Sequence, residues 1–300
     1  MHHLTYLQAI VIGAIQGVTE LFPVSSLGHA VLVPHWIGGS WAQTVGDEST
    51  GESPYLAFIV VLHVATALAL LVYFWREWVD IVRALFRSIA RRRIETVHER
   101  LAWLLVIATI PAGITGLLLE HELRVVFAKP LAAAIFLTIN GFVLFGGEWL
   151  RRRSLARGGL EAGSDHTSEA VDAAVVTRLR PVDAGWIGLA QVLALLAGIS
   201  RSGITMVAGL ARDLDHEQAM RFAFLLATPI ILAAGVLKIP DFTGHLGNGI
   251  RVQALGGAVA AFIGAFLSTR FLARYFRSNN LTPFAVYCLL FGVASIIRFG

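Results

Sequence analysis

The 300-residue chain has a single cysteine, Cys288, set in an apolar run. One thiol cannot form an intrachain disulfide, and no zinc-ligand spacing is present. Charge is also scarce. Asp, Glu, Lys and Arg make up 15% of the residues, against roughly 25% in soluble domains. Hydrophobic residues reach 56%. A water-soluble core cannot absorb that much apolar surface, so lipid is the expected solvent. Residues 1–5 contain no Lys or Arg ahead of the first apolar stretch, so a cleaved signal peptide is not expected. The net charge of +4 sits on clustered basic residues. That pattern fits the loop bias of a membrane protein and argues against a nucleic-acid partner. The 29 Gly and 7 Trp suit close helix packing and interfacial anchoring.

A spanning helix needs roughly 20 apolar residues. Residues 55–75, 101–119, 131–150, 218–237, 252–273 and 282–299 qualify. Two other apolar regions, 6–37 and 184–211, are each broken in the middle. The first break contains Gln16, Glu20, Pro23, Ser25, Ser26, Gly28 and His29; the second runs Gly198-Ile199-Ser200-Arg201-Ser202-Gly203.

Loop charge predicts the topology. Loop 38–54 has Asp47, Glu48 and Glu52 and no Lys or Arg, so it belongs outside. Loops 76–100 and 148–183 are rich in Arg and belong inside, as do the arginines of 212–221 and 270–277. Both ends of the first broken region then want the outside, and both ends of the second want the inside. Each is best drawn as a re-entrant hairpin, whose irregular backbone must be buried in protein or line a cavity. At an offset of 175 residues, Gly13 matches Gly188, Gln16 matches Gln191, Ser25 matches Ser200 and Gly28 matches Gly203. The expected fold is an all-α polytopic membrane protein built from two inverted repeats. Each repeat is a re-entrant helical hairpin plus three transmembrane helices. The repeats cover about 1–150 and 184–300, joined by a cytoplasmic linker over 151–183, and such repeats place a site near the bilayer midplane.

The polar residues of the breaks are the candidates for chemistry. Gln16 and Glu20 are four apart and share a helix face. An intramembrane carboxylate is a functional-site hypothesis by default, and a carboxylate with an amide oxygen suits magnesium or calcium. Pro23 sets a turn, and Ser25 falls where a helix N-cap would be. Ser26 and His29, three apart, offer a hydroxyl and a candidate base. A helix N-terminus favours a bound phosphate, and Arg201 can fork onto phosphate oxygens. Ser200, Ser202 and Thr205 add hydroxyls, while Gly198 and Gly203 let backbone approach an anion. His63 and Asn140 read as helix-bridging residues, and loop 154–180 as a flexible polar segment without chemistry. A rival reading remains open: paired broken hairpins also occur in transporters, so the chain could carry an anion or flip a lipid phosphate.

These motifs resemble a known family. Gln16-Gly17-Val18-Thr19-Glu20 is similar to its (Glu/Gln)-x-x-x-Glu motif, and Pro23-Val24-Ser25-Ser26-Leu27-Gly28-His29 to its Pro-Val-Ser-Ser-x-Gly-His motif. Gly198-Ile199-Ser200-Arg201-Ser202-Gly203-Ile204-Thr205 is similar to its Pro-Gly-x-Ser-Arg-Ser-Gly-x-Thr motif, with Ala197 in place of the proline. The family is the bacterial undecaprenyl-diphosphate phosphatases, also called bacitracin-resistance proteins, and the resemblance covers nearly the whole chain. It implies hydrolysis of undecaprenyl diphosphate at the outer face of the plasma membrane, which recycles the lipid carrier of cell-wall synthesis. It implies a divalent metal, magnesium or calcium, near Glu20 and Gln16. Ser26 resembles the nucleophile, with His29 or Glu20 as base. Arg201 would hold the diphosphate, aided by Ser25, Gly28, Ser200, Ser202, Gly203 and Thr205. Gln16 is the less acidic option of its motif, and His63 stands where many members carry Gln. The phosphatidic-acid phosphatase superfamily is a poorer match, because Val207 occupies the position of its second catalytic His.

Overall fold

A computed structural model describes residues 4–45, 53–127, 129–156 and 165–300. The acidic stretch with Asp47, Glu48 and Glu52 and part of the inner loop lie outside the described residues. The described chain is all-helical. Helices α1 (Tyr6–Thr19) and α2 (Ser26–Ile37) flank the first break, followed by a short α3 (Ser40–Val45). Next come α4 (Pro54–Tyr73), α5 (Trp75–Arg91), α6 (Val97–Phe127) and α7 (Pro130–Ala156). After α8 (Ser168–Arg178), the second break lies between α9 (Pro181–Gln191), extended by a 3₁₀ turn, and α10 (Arg201–Leu210). The chain ends with α11 (His216–Thr243), α12 (Arg251–Tyr275) and α13 (Thr282–Phe299).

Six helices are long and apolar enough to cross a membrane: α4, α6 over Val97–Leu118, α7, α11 over His216–Pro240, α12 and α13. Their bounds lie within a few residues of those expected from hydropathy. The helices at the breaks are much shorter. The 14 residues of α1 rise about 21 Å, less than the roughly 30 Å of a hydrocarbon core.

The packing of these short helices follows a pattern. The first, α1, lies against α12, while α9 lies against α6. Likewise α4 packs on α12 and α11 on α6, and α4 meets α11 as α7 meets α13. Glycine makes the two short-helix contacts possible. A Cβ on Gly13 would sit 2.2 Å from the Gly257 carbonyl oxygen, and one on Gly188 would sit 2.3 Å from that of Ala108. Both distances are impossible for any side chain, so these glycines let backbone meet backbone.

Two segments expected as loops are helices. Within 76–100, α5 buries Ile81, Ala84 and Ser88. Their 3–4 spacing makes an apolar stripe on an Arg-rich helix, which mean hydropathy hides. Trp103 of α6 donates its Nε1–H to Ser88 Oγ at 3.0 Å. Within 154–180, α8 starts at the N-cap Thr167, whose Oγ1 accepts from the Ala170 N–H. It buries Val171, Val175 and Val176 and is pinned by an ion pair. The Arg221 Nε and Nη2 groups donate to Asp172 Oδ1 and Oδ2 at 2.6 and 3.0 Å. The guanidinium also lies 5.4 Å from the Phe74 ring centroid and 3.6 Å from Glu77 Oε1. Asp172→Leu strands this buried charge, an expected loss of about 3–5 kcal/mol. The midpoint of thermal unfolding in detergent should therefore fall. Adding Arg221→Met should restore most of it.

Candidate active site

The two breaks meet at the floor of one cavity. Its polar lining comprises Glu20, Ser25, Ser26, His63, Thr109, Ser200, Arg201 and Lys238, and its walls include the apolar faces of α4, α6 and α11. The first break begins where α1 gives way to a turn over Leu21–Val24. Gln16 then reaches down its own face to Glu20, donating from Nε2 to Glu20 Oε2 at 3.0 Å. The Ser26 hydroxyl donates to the same carboxylate oxygen. A third contact comes from a distant helix: His63 Nε2 of α4 lies 3.2 Å from Glu20 Oε2.

His63 is the functional neighbour that sequence reasoning set aside. Its Nδ1 faces the Ile59 carbonyl oxygen at 2.9 Å. A carbonyl only accepts, so Nδ1 carries a proton. The contact from Nε2 to the carboxylate is an ion pair when Nε2 is protonated as well. Glu20, buried with only 8% exposure, thus faces Gln16, Ser26 and His63 together.

Ser25 caps α2 from an unusual backbone conformation, φ 69°. Its Oγ accepts from the N–H of Gly28 at 3.3 Å and from the N–H of Gly198, in the other break, at 3.1 Å. His29 points away from the cavity. Its Nδ1 is 2.7 Å from the Ser25 carbonyl oxygen and its Nε2 is 2.7 Å from Tyr287 Oη. By the same donor logic, Nδ1–H donates to Ser25 and Nε2 accepts from Tyr287. Ser26 and His29 are therefore near in sequence but engaged with different partners.

On the second break, Ser200 caps α10 by accepting from the Gly203 N–H at 3.1 Å, and its Oγ lies 3.0 Å from Ser202 Oγ. Ser202 also donates to the Phe22 carbonyl at 3.3 Å. Gly28 and Gly203 are approach points between the breaks. A Cβ on Gly28 would be 3.0 Å from Gly198 Cα, and one on Gly203 would be 3.2 Å from Pro23 Cβ. Arg201 is the first residue of α10 and lines the cavity. Its Nη1 is buried without a hydrogen-bond partner, as are Gln16 Oε1 and Thr205 Oγ1. Two helix N-termini, with first-turn N–H groups that lack intrahelical acceptors, thus converge beside an unsatisfied guanidinium. Such an arrangement favours an anion.

Asn140 of α7 ties the breaks together. Its Nδ2 donates to the Pro23 carbonyl at 3.0 Å, and its Oδ1 accepts from the Ser200 N–H at 2.9 Å. Sequence alone marked it as a helix bridge; the fold makes it the clamp of both turns. Asn140→Leu orphans both groups, at about 1–3 kcal/mol each. Turnover should fall more steeply than the thermal midpoint, and measuring both on one preparation separates misplacement from unfolding.

Six helices long and apolar enough to cross a membrane, with a buried hydroxyl–carboxylate–imidazole cluster and a guanidinium at a helix N-terminus beside it, define a polytopic membrane protein whose cavity chemistry suits a phosphorylated ligand. The chain belongs to the family described as Bacitracin resistance protein BacA, whose sequence model matches residues 9–294. It is 57% identical to an undecaprenyl-diphosphatase of Mycolicibacterium paratuberculosis, over 98% of this chain and 97% of that one. It is 54% identical to undecaprenyl-diphosphatase 2 of Frankia alni, over 100% of this chain and 99% of that one.

Proposed function

We infer that this chain hydrolyses undecaprenyl diphosphate to undecaprenyl phosphate and inorganic phosphate, returning the lipid carrier to cell-wall synthesis and conferring bacitracin resistance. Beyond family membership, one observation carries the reading. The Ser26 hydroxyl is bonded to the Glu20 carboxylate in the cavity that Arg201 also lines.

The two broken regions are re-entrant hairpins of two inverted repeats, over about 1–150 and 184–300. The length of α1 and the exchange pattern of helix contacts support this. Under the charge-based topology, the cavity residues of α4, α6 and α11 lie in the outer halves of their helices. The site then opens to the outer side of the plasma membrane.

The Ser26 hydroxyl gives its proton to Glu20 Oε2 as its oxygen attacks the terminal phosphorus. The bond from that phosphorus to the bridging oxygen breaks, and undecaprenyl phosphate leaves. Water then releases phosphate from the serine. His63 shares the proton load on Glu20. Arg201 and the first-turn N–H groups of α2 and α10 hold the diphosphate and neutralise the charge spreading over its oxygens. Ser25, Ser200 and Ser202 keep these N-termini in place, and Gly28 and Gly203 allow them to converge. The residues fit a magnesium or calcium ion, since the Gln16 Oε1 oxygen is buried and unpartnered beside a carboxylate. Gln16 and Glu20 would hold it together with the ligand's own oxygens, and it would polarise the phosphoryl group.

Purified protein given the lipid diphosphate and magnesium should release phosphate. A polyprenyl-phosphate flippase or anion transporter would release none, and that result would overturn the reading. Ser26→Ala is expected to cut release by about 10²-fold or more, within the range of a lost activated group. Full activity in that variant would transfer the attack to water.

A further inference from the structure

At the inner end of α12, Arg270 and Arg274 are four residues apart and share one helix face, and Arg277 lies in the turn just past the helix. They border two adjoining depressions outside the active-site cavity. One is lined by Tyr73, Phe266, Arg270, Ala273, Arg274 and Arg277. The other is lined by Leu267, Arg270, Phe271, Arg274 and Tyr275. Arg270 and Arg274 belong to both. Arg277 is paired with Glu217 at 3.1 Å. Arg270 and Arg274 are exposed and make no ion pair among the described residues. Several other carboxylates of the Arg-rich segments are engaged elsewhere: Asp172 and Glu77 with Arg221, Glu148 with Arg152 and His216, Asp183 with Arg180 and Arg212.

The depressions have an apolar side. Leu267 and Phe271 are 59% and 51% exposed, the first a turn ahead of the arginines and the second between them. Tyr73 and Phe266 meet edge to face at 5.7 Å and wall one depression. Two unpaired guanidiniums below an apolar, aromatic-walled surface match a phosphate joined to acyl chains. A soluble anion would need only the cations. Phe271 also stacks on Phe22, in the turn of the first break, with centroids 5.8 Å apart.

We propose that Arg270 and Arg274 form a binding site for the phosphate headgroup of an anionic lipid in the inner leaflet. The acyl chains lie along Leu267 and Phe271. The proposal does not depend on the assigned reaction.

The test is native mass spectrometry of the full chain in neutral detergent. Dioleoyl-phosphatidylglycerol, dioleoyl-phosphatidylcholine and inorganic phosphate are added in separate arms. Phosphatidylglycerol adducts should be retained by the parent and reduced on the order of tenfold or more in Arg270→Gln/Arg274→Gln, the factor expected for two basic residues near an anionic surface. The thermal midpoint in detergent serves as the fold control for that variant. If it does not fold, Arg270→Lys/Arg274→Lys replaces it, and it should retain less phosphatidylglycerol than the parent. The control Arg83→Gln/Arg91→Gln, on α5, should behave as the parent. Equal retention of phosphatidylcholine overturns headgroup recognition. Displacement of the lipid by inorganic phosphate at equal concentration shows a free-anion site instead. An equal loss in the α5 control reduces the effect to net charge.

Discussion

Glu20→Gln is expected to lower kcat by about 10²–10⁴, the contribution of a positioned general base, while the thermal midpoint stays near that of the parent. The exchange is nearly isosteric. An amide oxygen can still accept from Gln16 Nε2 and the Ser26 hydroxyl, so the hydrogen bonds that shape the first break survive. The amide cannot take the serine proton. It also faces His63 Nε2 without the negative charge of the carboxylate. The loss should therefore appear in single-turnover phosphate release and not in folding. A variant within threefold of the parent would remove Glu20 from the proton path.

Arg201→Gln is the second large effect. Loss of one preorganised donor to developing charge costs about 10²–10³ in rate, and here a full positive charge goes with it. Arg201→Lys should recover only part, because an ammonium lacks the planar fork that grips two phosphate oxygens. Stability should move the other way. Arg201 Nη1 is buried with no partner, and Ser200 still caps α10 through the Gly203 N–H. Removing the guanidinium leaves no orphan and relieves the cost of burying it. The thermal midpoint of the Gln variant should equal or exceed that of the parent as kcat/KM collapses. A parallel loss of both would make Arg201 a structural residue.

Much of this was readable from sequence, for reasons that differ by feature. The six long helices show in hydropathy because lipid demands uninterrupted apolar runs. The breaks show because polar residues there have no other place in such a run. Gln16 with Glu20, and Ser25 as a cap, follow from helix spacing alone. His63 and Asn140 had the right chemistry but no legible partners. A lone polar residue in an apolar span looks the same whether it glues two helices or completes a site, and their contacts cross from α4 and α7 to breaks far along the chain. His29 is the converse case. Sequence proximity suggested a partnership with Ser26, yet Tyr287 of α13 and the Ser25 carbonyl engage both ring nitrogens. The helices α5 and α8 escaped because their docking rests on narrow apolar stripes and, for α8, on the Arg221–Asp172 pair.

The seating of Gly13 against Gly257 has a consequence for synthesis. The segment of α1 and α2 is among the first to leave the ribosome, yet the backbone that α1 rests on is made near the end. At about 5–20 residues per second, the wait is on the order of tens of seconds. For most of that interval Glu20 and Ser26 have neither α12 behind α1 nor the second break opposite them. The nascent chain therefore carries a polar, unsupported turn between α1 and α2. Chains stalled before α12 should be the ones that membrane quality-control proteases recognise.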